Sequence, residues 1–377
     1  MAEVTEIRSI EELASYRLVW QSLLLRTRDA TFFQSLDWLE AYWRHFGEGK
    51  QLRVLIVASA GETIGIVPLV VVTEPTRVGP VRFLTYPLQD WGSFYGPIGP
   101  NSTAALLAAM RHLRETPRDW DVLDLRWVDC DRTDRGRTQR AMTQVGFRPH
   151  LQPWMRGSVV GLPETWNEYW KARPRRWREN VRRCRRRLGG LGKVTYVRYR
   201  PDGIAYGDAD PRWDLFEACL TIARKSWQSE SATGNTLCSP EVEDFLRDAH
   251  EAAVRAGAVD LNLVMVDGRP VAFAYNYHTN GRVFGLRKGY DPEFRSGSPG
   301  VVLDHLMLED GHARGDRHYD LGVGAIESKR YWITAEATSY RMTHFRGNVA
   351  RAQALRLKRW YQDRFGNTEK LVTARSA

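Results

Sequence analysis

The residues best suited to chemistry lie between positions 282 and 300. A strand-like segment, Arg282–Gly289, runs into Tyr290-Asp291-Pro292-Glu293-Phe294-Arg295-Ser296-Gly297-Ser298-Pro299-Gly300, and a helical pattern follows. Ser298 suits the cap of that helix and Pro299 its first position. A helix N-terminus presents unsatisfied N–H groups and a partial positive charge. Gly297 and Gly300 leave room for a ligand against the backbone, and Arg295 adds a cation. Strand, tight loop and helix N-terminus together form an arrangement that binds phosphate. The same residues also suit a plain strand-to-helix connection that needs Ser-Pro-Gly only for capping, and both readings stand at this level.

A second concentration is cationic. Lys171 to Arg187 holds ten basic residues against Glu179, a net +9 in 17 residues. The 377-residue chain carries +10 in all, so the remainder is close to neutral. That excludes a polycation that coats nucleic acid and leaves a neutral body with one basic element. Trp166, Trp170, Trp177, Val181, Cys184 and Leu188 form an apolar stripe at helical spacing, interrupted at Arg173-Pro174, so a new helix is expected over 174–188. The arginines fall on its other face. Three partners are open: an anionic group of cofactor or acceptor, a tRNA, or acids of the fold such as Asp129, Asp131 and Asp134.

The elements that position these residues recur. Helices are expected over Ile10–Leu25, Ser35–Phe46 and Ser102–Arg114, and strands over Arg53–Ala58, Thr63–Val72 and Val122–Val128. The second half repeats the order, with helices at Pro211–Ser226, Pro240–Ala256 and Ser298–Ala313. Its strands are Leu261–Val266, Pro270–His278, Arg282–Gly289 and His318–Gly322. The hairpin VLIVASAGETIGIV aligns with NLVMVDGRPVAFAY at an offset of 207, setting Gly61 against Gly268. Downstream, Ser102 against Ser298 and Asp124-Leu125 against Asp320-Leu321 share an offset of 196. Two registers separated by one insertion are the mark of a duplication.

The ordered set of motifs resembles the GNAT acyltransferases, and more narrowly the CelD/BcsL type related to the FemAB peptidyltransferases. The residues that carry the resemblance are Phe32…Trp38-Leu39…Trp43, Gly65-Ile66-Val67-Pro68-Leu69 and the arginine-rich Arg175–Leu188. They continue with Asp267-Gly268-Arg269-Pro270-Val271-Ala272, Gly289-Tyr290-Asp291-Pro292, Ser298-Pro299-Gly300 and Tyr319-Asp320-Leu321-Gly322-Val323-Gly324…Lys329…Trp332. The resemblance implies an α/β (α+β) fold of two tandem lobes, each a mixed, centrally splayed sheet flanked by helices. The expected division is an N-terminal lobe over 1–155 that has lost its site, a catalytic lobe over 156–366 opening with the arginine helix, and a tail over 367–377.

It further implies transfer of an acyl group from acetyl-CoA or another acyl-CoA to an amine, with no metal. In the family two adjacent parallel strands splay and hold the thioester between them; here these are Arg282–Gly289 and His318–Gly322. The implied cofactor contacts are Arg287, Gly289, Arg295, Ser296, Gly297, Ser298 and Gly300. The loop departs from the family signature Arg/Gln-x-x-Gly-x-Gly/Ala in having Ser298 at the middle glycine. The first lobe has Gly99-Pro100-Asn101-Ser102-Thr103-Ala104 in that place, without arginine. A base for the attacking amine and an acid for the leaving thiolate are needed. Asp320, Tyr290 and Lys329 are the choices, from a set that includes Glu327 and Tyr331. Asp320 is a base or substrate clamp, although its counterpart Asp124 suggests a structural acid; Lys329 is expected to pair with Asp320.

Competing patterns fail on spacing. Gly322-Val323-Gly324 lacks the third glycine of a dinucleotide fingerprint. His305 and His312 are a heptad apart, ~10 Å along a helix, so that His305, Glu309 and His312 read as a solvated face. Trp91-Gly92-Ser93-Phe94-Tyr95 suits an acceptor pocket or packing between the halves. Four scattered cysteines without a Cys-x-x-Cys pair fit a reducing compartment. The N-terminus lacks a signal-peptide core, and the most apolar run, Ile64–Val72, is far short of the ~20 residues that span a bilayer. A cytoplasmic N-acyltransferase acting on a sugar or envelope/exopolysaccharide precursor is the expectation. The alternatives are an aminoacyl-tRNA-dependent peptidyltransferase and a catalytically inactive binding protein; DNA is not expected as a partner.

Overall fold

A computed structural model describes residues 2–324 and 326–365. The chain divides into two compact units, residues 1–157 with 337–377, and residues 158–336. The first stretch holds β1 (Glu3–Ile7), α1 (Arg17–Leu25), α2 (Leu36–Phe46), β2 (Gln51–Ser59), β3 (Glu62–Glu74), β4 (Val81–Thr85), α3 (Ser102–Glu115), β5 (Val122–Val128), α4 (Arg137–Gln144) and β6 (His150–Gly161). Next come α5 (Trp166–Lys171), α6 (Arg175–Gly189), β7 (Val194–Tyr199), α7 (Trp213–Lys225), α8 (Pro240–Arg255), β8 (Val259–Val266), β9 (Arg269–Thr279), β10 (Arg282–Tyr290), α9 (Pro299–Ala313), β11 (His318–Val323) and α10 (Ile326–Lys329). β12 (Ala335–Phe345) and α11 (Ala350–Phe365) close the chain.

The first unit's strands run in the order β1-β2-β3-β4-β5-β12, with β6 beyond β12; the second unit's run β11-β10-β9-β8-β7. A boundary at 366 was expected for the second lobe. Instead the chain returns after 336, and β12 and α11 belong to the first unit. The reason is local. β12 pairs antiparallel with β5 from Tyr340↔Val128 to Phe345↔Val122, and α11 seats Ala352 and Leu355 among Val81, Phe83, Val122 and Phe345. The expected tail, 367–377, lies outside the described residues.

The two registers read from sequence are present in the backbone. The turns Ala60-Gly61 and Asp267-Gly268 both have two positive φ values, 51° and 82° in one and 49° and 78° in the other. This is the two-residue hairpin turn whose twist matches the strands, and glycine meets its second position without strain. Ile56 faces Ile66 in the first hairpin and Leu263 faces Phe273 in the second. Both ladders slip at the same place, between Val57 and Ala58 and between Val264 and Met265. The other register holds as well: β5 and β11 each lie parallel to the strand before their helix, Val122 opposite Phe83 and His318 opposite Arg282.

Two networks of buried charge fasten the sheets. In the second unit Arg198 donates to Asp260 (2.7 Å), Asp310 (3.0 Å) and Asp316 (3.2 Å), joining β7 and β8 to α9 and the turn before β11. Arg200 adds two bonds to Asp316. In the first unit Asp124 accepts from Arg126, Arg341 and Thr343. A buried carboxylate needs its lone pairs answered and a buried guanidinium its N–H groups, and here the opposing charges supply both.

Candidate active site

Among the described residues β10 and β11 pair at three positions, Arg282↔His318, Val283↔Tyr319 and Phe284↔Asp320. Beyond them β10 continues along β9 to Tyr290 while β11 leaves, so the two parallel strands open into a split. Burial changes at the same point: Phe284 and Asp320 are buried, whereas Gly285 to Lys288 and Leu321 to Gly324 are half-exposed.

Local chemistry explains the parting on both sides. On β10 the register with β9 slips between Gly285 and Arg287, leaving Leu286 as the extra residue of a bulge. A Cβ at Gly285 would stand 3.1 Å from the Asp320 carbonyl oxygen, so glycine is what lets the strands touch before they diverge. On β11 the Asp320 Oδ1 accepts from the Gly322 amide at 2.8 Å, and Gly322 takes φ 76°. The carboxylate thereby ties the strand into a turn at Gly322, where a Cβ would stand 3.4 Å from the Gly285 carbonyl oxygen. Asp320 is a buried residue holding the shape of the split.

Lys329 finishes the arrangement. It is buried, and its Nζ donates to the carbonyls of Gly322 (3.1 Å) and Val323 (3.0 Å). The expected ion pair with Asp320 is replaced by these two backbone contacts, because β11 turns its last carbonyls toward the amine. Burial first and the Lys288 cation second, against the pull of Asp320 and Asp304, bring the Lys329 ammonium down to about 8 from the ordinary 10.5. Lys288 makes two 2.8 Å contacts with Asp304 of α9. The split thus gathers Asp320, Lys329, Lys288 and Asp304. Of these, Lys288 and Asp304 were missed from sequence, since nothing local links positions on a strand and a helix. The bulge had a signal: an isolated glycine, Gly285, inside a strand pattern.

Tyr290, at the end of β10, packs against the α6–α9 core, next to the open side of Gly300, where a Cβ would lie 3.7 Å from its ring. Glu327 is exposed and paired with Arg330, and Tyr331 stacks on Trp177 at 4.6 Å.

The loop before α9 is more closed than its composition suggests. Pro292–Gly297 winds into a 3₁₀ turn, and Ser298 bridges it to α9 in the left-handed region, φ 51° and ψ 55°. Ser298 occupies the cap position, but its hydroxyl makes no capping bond. A Cβ on Gly297 would meet Leu188 of α6 at 2.8 Å, so that glycine serves packing. Gly289 likewise stands against Phe273, Ser226 and Gln228. Arg287 is turned inward, where it donates to the Asn235 carbonyl at 2.8 Å and burial lowers it to about 10. Arg295 and Ser296 are exposed, and Gly300 is half-exposed with room beside it. Of the expected cofactor set, the arrangement therefore leaves Arg295, Ser296 and Gly300 open to a ligand, while Arg287, Gly289 and Gly297 hold the fold.

Helix α6 begins after Pro174 and buries Val181, Cys184 and Leu188, as the stripe requires. Arg176, Arg182, Arg183, Arg185, Arg186 and Arg187 are exposed. Among the described residues, the ion pair made by this helix's arginines is Arg175–Glu179 at 2.8 Å, within the helix itself. Among the described residues, acids elsewhere in the fold do not pair with this positive face. The expected solvated face on α9 is corrected: His305 is buried, its ring 4.7 Å from Trp170, and burial lowers it to about 4. Trp91 and Tyr95 are core residues of the first unit, Trp91 against Trp38 and Phe46, Tyr95 against Tyr86.

Residues 175–331 match the model of the acetyltransferase (GNAT) domain family. The second unit carries a GNAT acetyltransferase domain. No curated protein matches the chain in sequence. Among solved structures, FemX is 12% identical and aligns over 97% of this chain and 100% of its own, with a TM-score of 0.61. The C-terminal domain of a proposed lysylphosphatidylglycerol synthetase from Agrobacterium fabrum is 12% identical, covering 94% and 97%, with a TM-score of 0.52. A tandem GNAT protein from the clavulanic acid biosynthesis pathway is 11% identical over 93% and 100%, with a TM-score of 0.47. The chain shares the fold of FemX, a mixed sheet flanked by helices.

Proposed function

We propose that the GNAT domain transfers an acyl group from acyl-CoA to an amine, and that the acceptor is an anionic sugar or envelope precursor. The observation that carries this is the split between β10 and β11 with Lys329 at its mouth. The thioester supplies the activated acyl group; the chain supplies the slot, the proton acceptor and the anion contacts. Leu286, bulged out of the β9 ladder, offers a backbone amide on one wall. A neutral Lys329 uses two N–H bonds on the Gly322 and Val323 carbonyls. Its lone pair then remains to take the proton of the attacking amine. An amine at about 8 is well matched to that task near neutral pH. Tyr290 lies at the end of the same strand and is assigned to protonate the leaving thiolate. Arg295, Ser296 and the amide of Gly300 would receive the cofactor's phosphates at the start of α9.

The first unit is proposed to be a structural half. At the counterpart of Asp320, Asp124 is held ionised by Arg341, Arg359 and Arg126, although burial alone would favour its neutral form. Such a hub is committed to the fold.

Isothermal titration with acetyl-CoA and longer acyl-CoAs tests the reading. Binding is expected, with Arg295→Ala and Gly300→Glu weakening it. Failure to bind any acyl-CoA would remove the proposal, and normal binding by both variants would remove the loop assignment. The unanswered arginines of α6 support a second reading, an acyl donor carried on tRNA. That reading requires co-purifying RNA and binding that weakens steeply with salt.

A further inference from the structure

Helix α11 presents the wrong face to water. A surface helix normally turns its apolar stripe to the core and its polar side outward. In α11 the inward side is narrow, Ala352 and Leu355, supported by a bond from Arg359 to Thr343 (3.1 Å) and one from Gln152 to Asp363. The outward side carries Leu357, Trp360, Tyr361 and Phe365, which are 67, 55, 61 and 64% exposed. Their spacing of three, four and eight residues from Leu357 sets them on one face of a helix. The aromatic rings cluster, Tyr361 against Phe365 at 4.8 Å and Trp360 against Phe365 at 6.3 Å. Cations border them. Arg351, which donates to the Pro80 carbonyl, and Lys358 lie along one flank and Arg356 along the other, while Arg364, seven residues after Leu357, lies within the face with its guanidinium 5.7 Å from the Trp360 ring.

We propose that this outward face of α11 docks on an anionic lipid surface, lying flat with its aromatic residues in the headgroup boundary. The composition is what such a boundary selects: Trp and Tyr at the level of the headgroups, Leu and Phe below them, and Arg and Lys at the sides. Charge favours this occupant over a second copy of the chain. The helix carries five cations and one acid, and a twofold contact would set this face against itself. An anionic bilayer answers both the apolar area and the charge. The proposal does not depend on the reaction assigned to the second unit.

Flotation of the full chain with vesicles decides it, using phosphatidylglycerol mixed with phosphatidylcholine against phosphatidylcholine alone. Binding is expected to the anionic vesicles at low salt, to fall as salt shortens the screening length, and to be weak on the neutral ones. Trp360→Glu with Phe365→Glu should lower partitioning about tenfold or more, and each of Arg356→Gln and Arg364→Gln about fivefold. All four positions are exposed, so far-ultraviolet circular dichroism and the melting midpoint should not move. Three results would overturn the proposal: no binding to anionic vesicles, binding that survives the aromatic substitutions, or a dimer in light scattering that Trp360→Glu converts to monomer.

Discussion

Lys329 offers the most direct test of the site, because its burial makes one number appear in two unrelated experiments. Its ammonium titrates at about 8 in the fold and at the ordinary 10.5 when the chain is unfolded. The separation corresponds to about 3 kcal/mol at ~1.4 kcal/mol per unit. The folded-state value is the lower one, so below about 8 the fold bears the full cost of a charged buried lysine. Between 8 and 10.5 the unfolded chain binds more protons, and stability rises with pH. Lys329→Met removes the titration and keeps the bulk of the side chain. It also removes two bonds to backbone carbonyls, a loss of ~1 kcal/mol each that does not vary with pH. Urea unfolding of both proteins from pH 7 to 10.5 should therefore show the wild type gaining about 3 kcal/mol relative to the variant. Taking the difference cancels the other titrating groups. The same group should appear in acyl transfer, with kcat/KM rising to a plateau through an apparent pKa near 8, and Lys329→Met losing ~10²–10⁴ in rate. Lys288→Met, which removes the neighbouring cation, should move that kinetic pKa upward. A stability difference that stays flat across pH 7 to 10.5 would refute the burial argument. A kinetic profile unchanged in Lys329→Met would refute the proton-transfer role.

Asp260→Asn strips the main partner from the buried Arg198 and should cost about 3–5 kcal/mol in urea unfolding; a loss below ~1 kcal/mol would mean that Asp310 and Asp316 suffice. Gly322→Ala forces a side chain onto φ 76° at a cost of ~1–2 kcal/mol and displaces the carbonyl that Lys329 grips. Its kcat should fall more than its acyl-CoA affinity, and an unaltered kcat would separate the turn from catalysis. Gly297→Ala pushes a methyl into Leu188 and should lower the melting midpoint, at ~1–3 kcal/mol, with Leu188→Ala restoring part of the loss. Weakened acyl-CoA binding with an unmoved midpoint would return Gly297 to the ligand loop.

The duplicated hairpins were legible because their turn chemistry is local. Ala60-Gly61 and Asp267-Gly268 state a turn type, and the alternation around them fixes which residues face each other. Helix α6 was legible for a similar reason: a stripe of large apolar residues at helical period has few other uses. β4, β6, β7 and β12 were not: β7 is half-exposed along nearly all of its length, and the others mix buried and exposed positions without a steady alternation to read. The assignment of β12 to the first unit depends on pairing with β5 more than 200 residues away, which no window of sequence contains.

At the site the division is sharper. Residue type and spacing by themselves determined that a glycine-rich loop would lead into α9. The resemblance carried by the ordered motifs implied that β10 and β11 would lie parallel, and named Asp320, Tyr290 and Lys329 as candidates beside them. Tertiary structure alone decided what each does. Gly297 and Gly289 are occupied by Leu188 and Phe273 rather than left for a ligand, Arg287 faces inward, and Asp320 bends its own strand. The physical reason is that a side chain's role follows from what fills the few ångströms around it. Packing and burial set that environment, and they bring Lys288, Asp304 and Lys329 together across three separate elements.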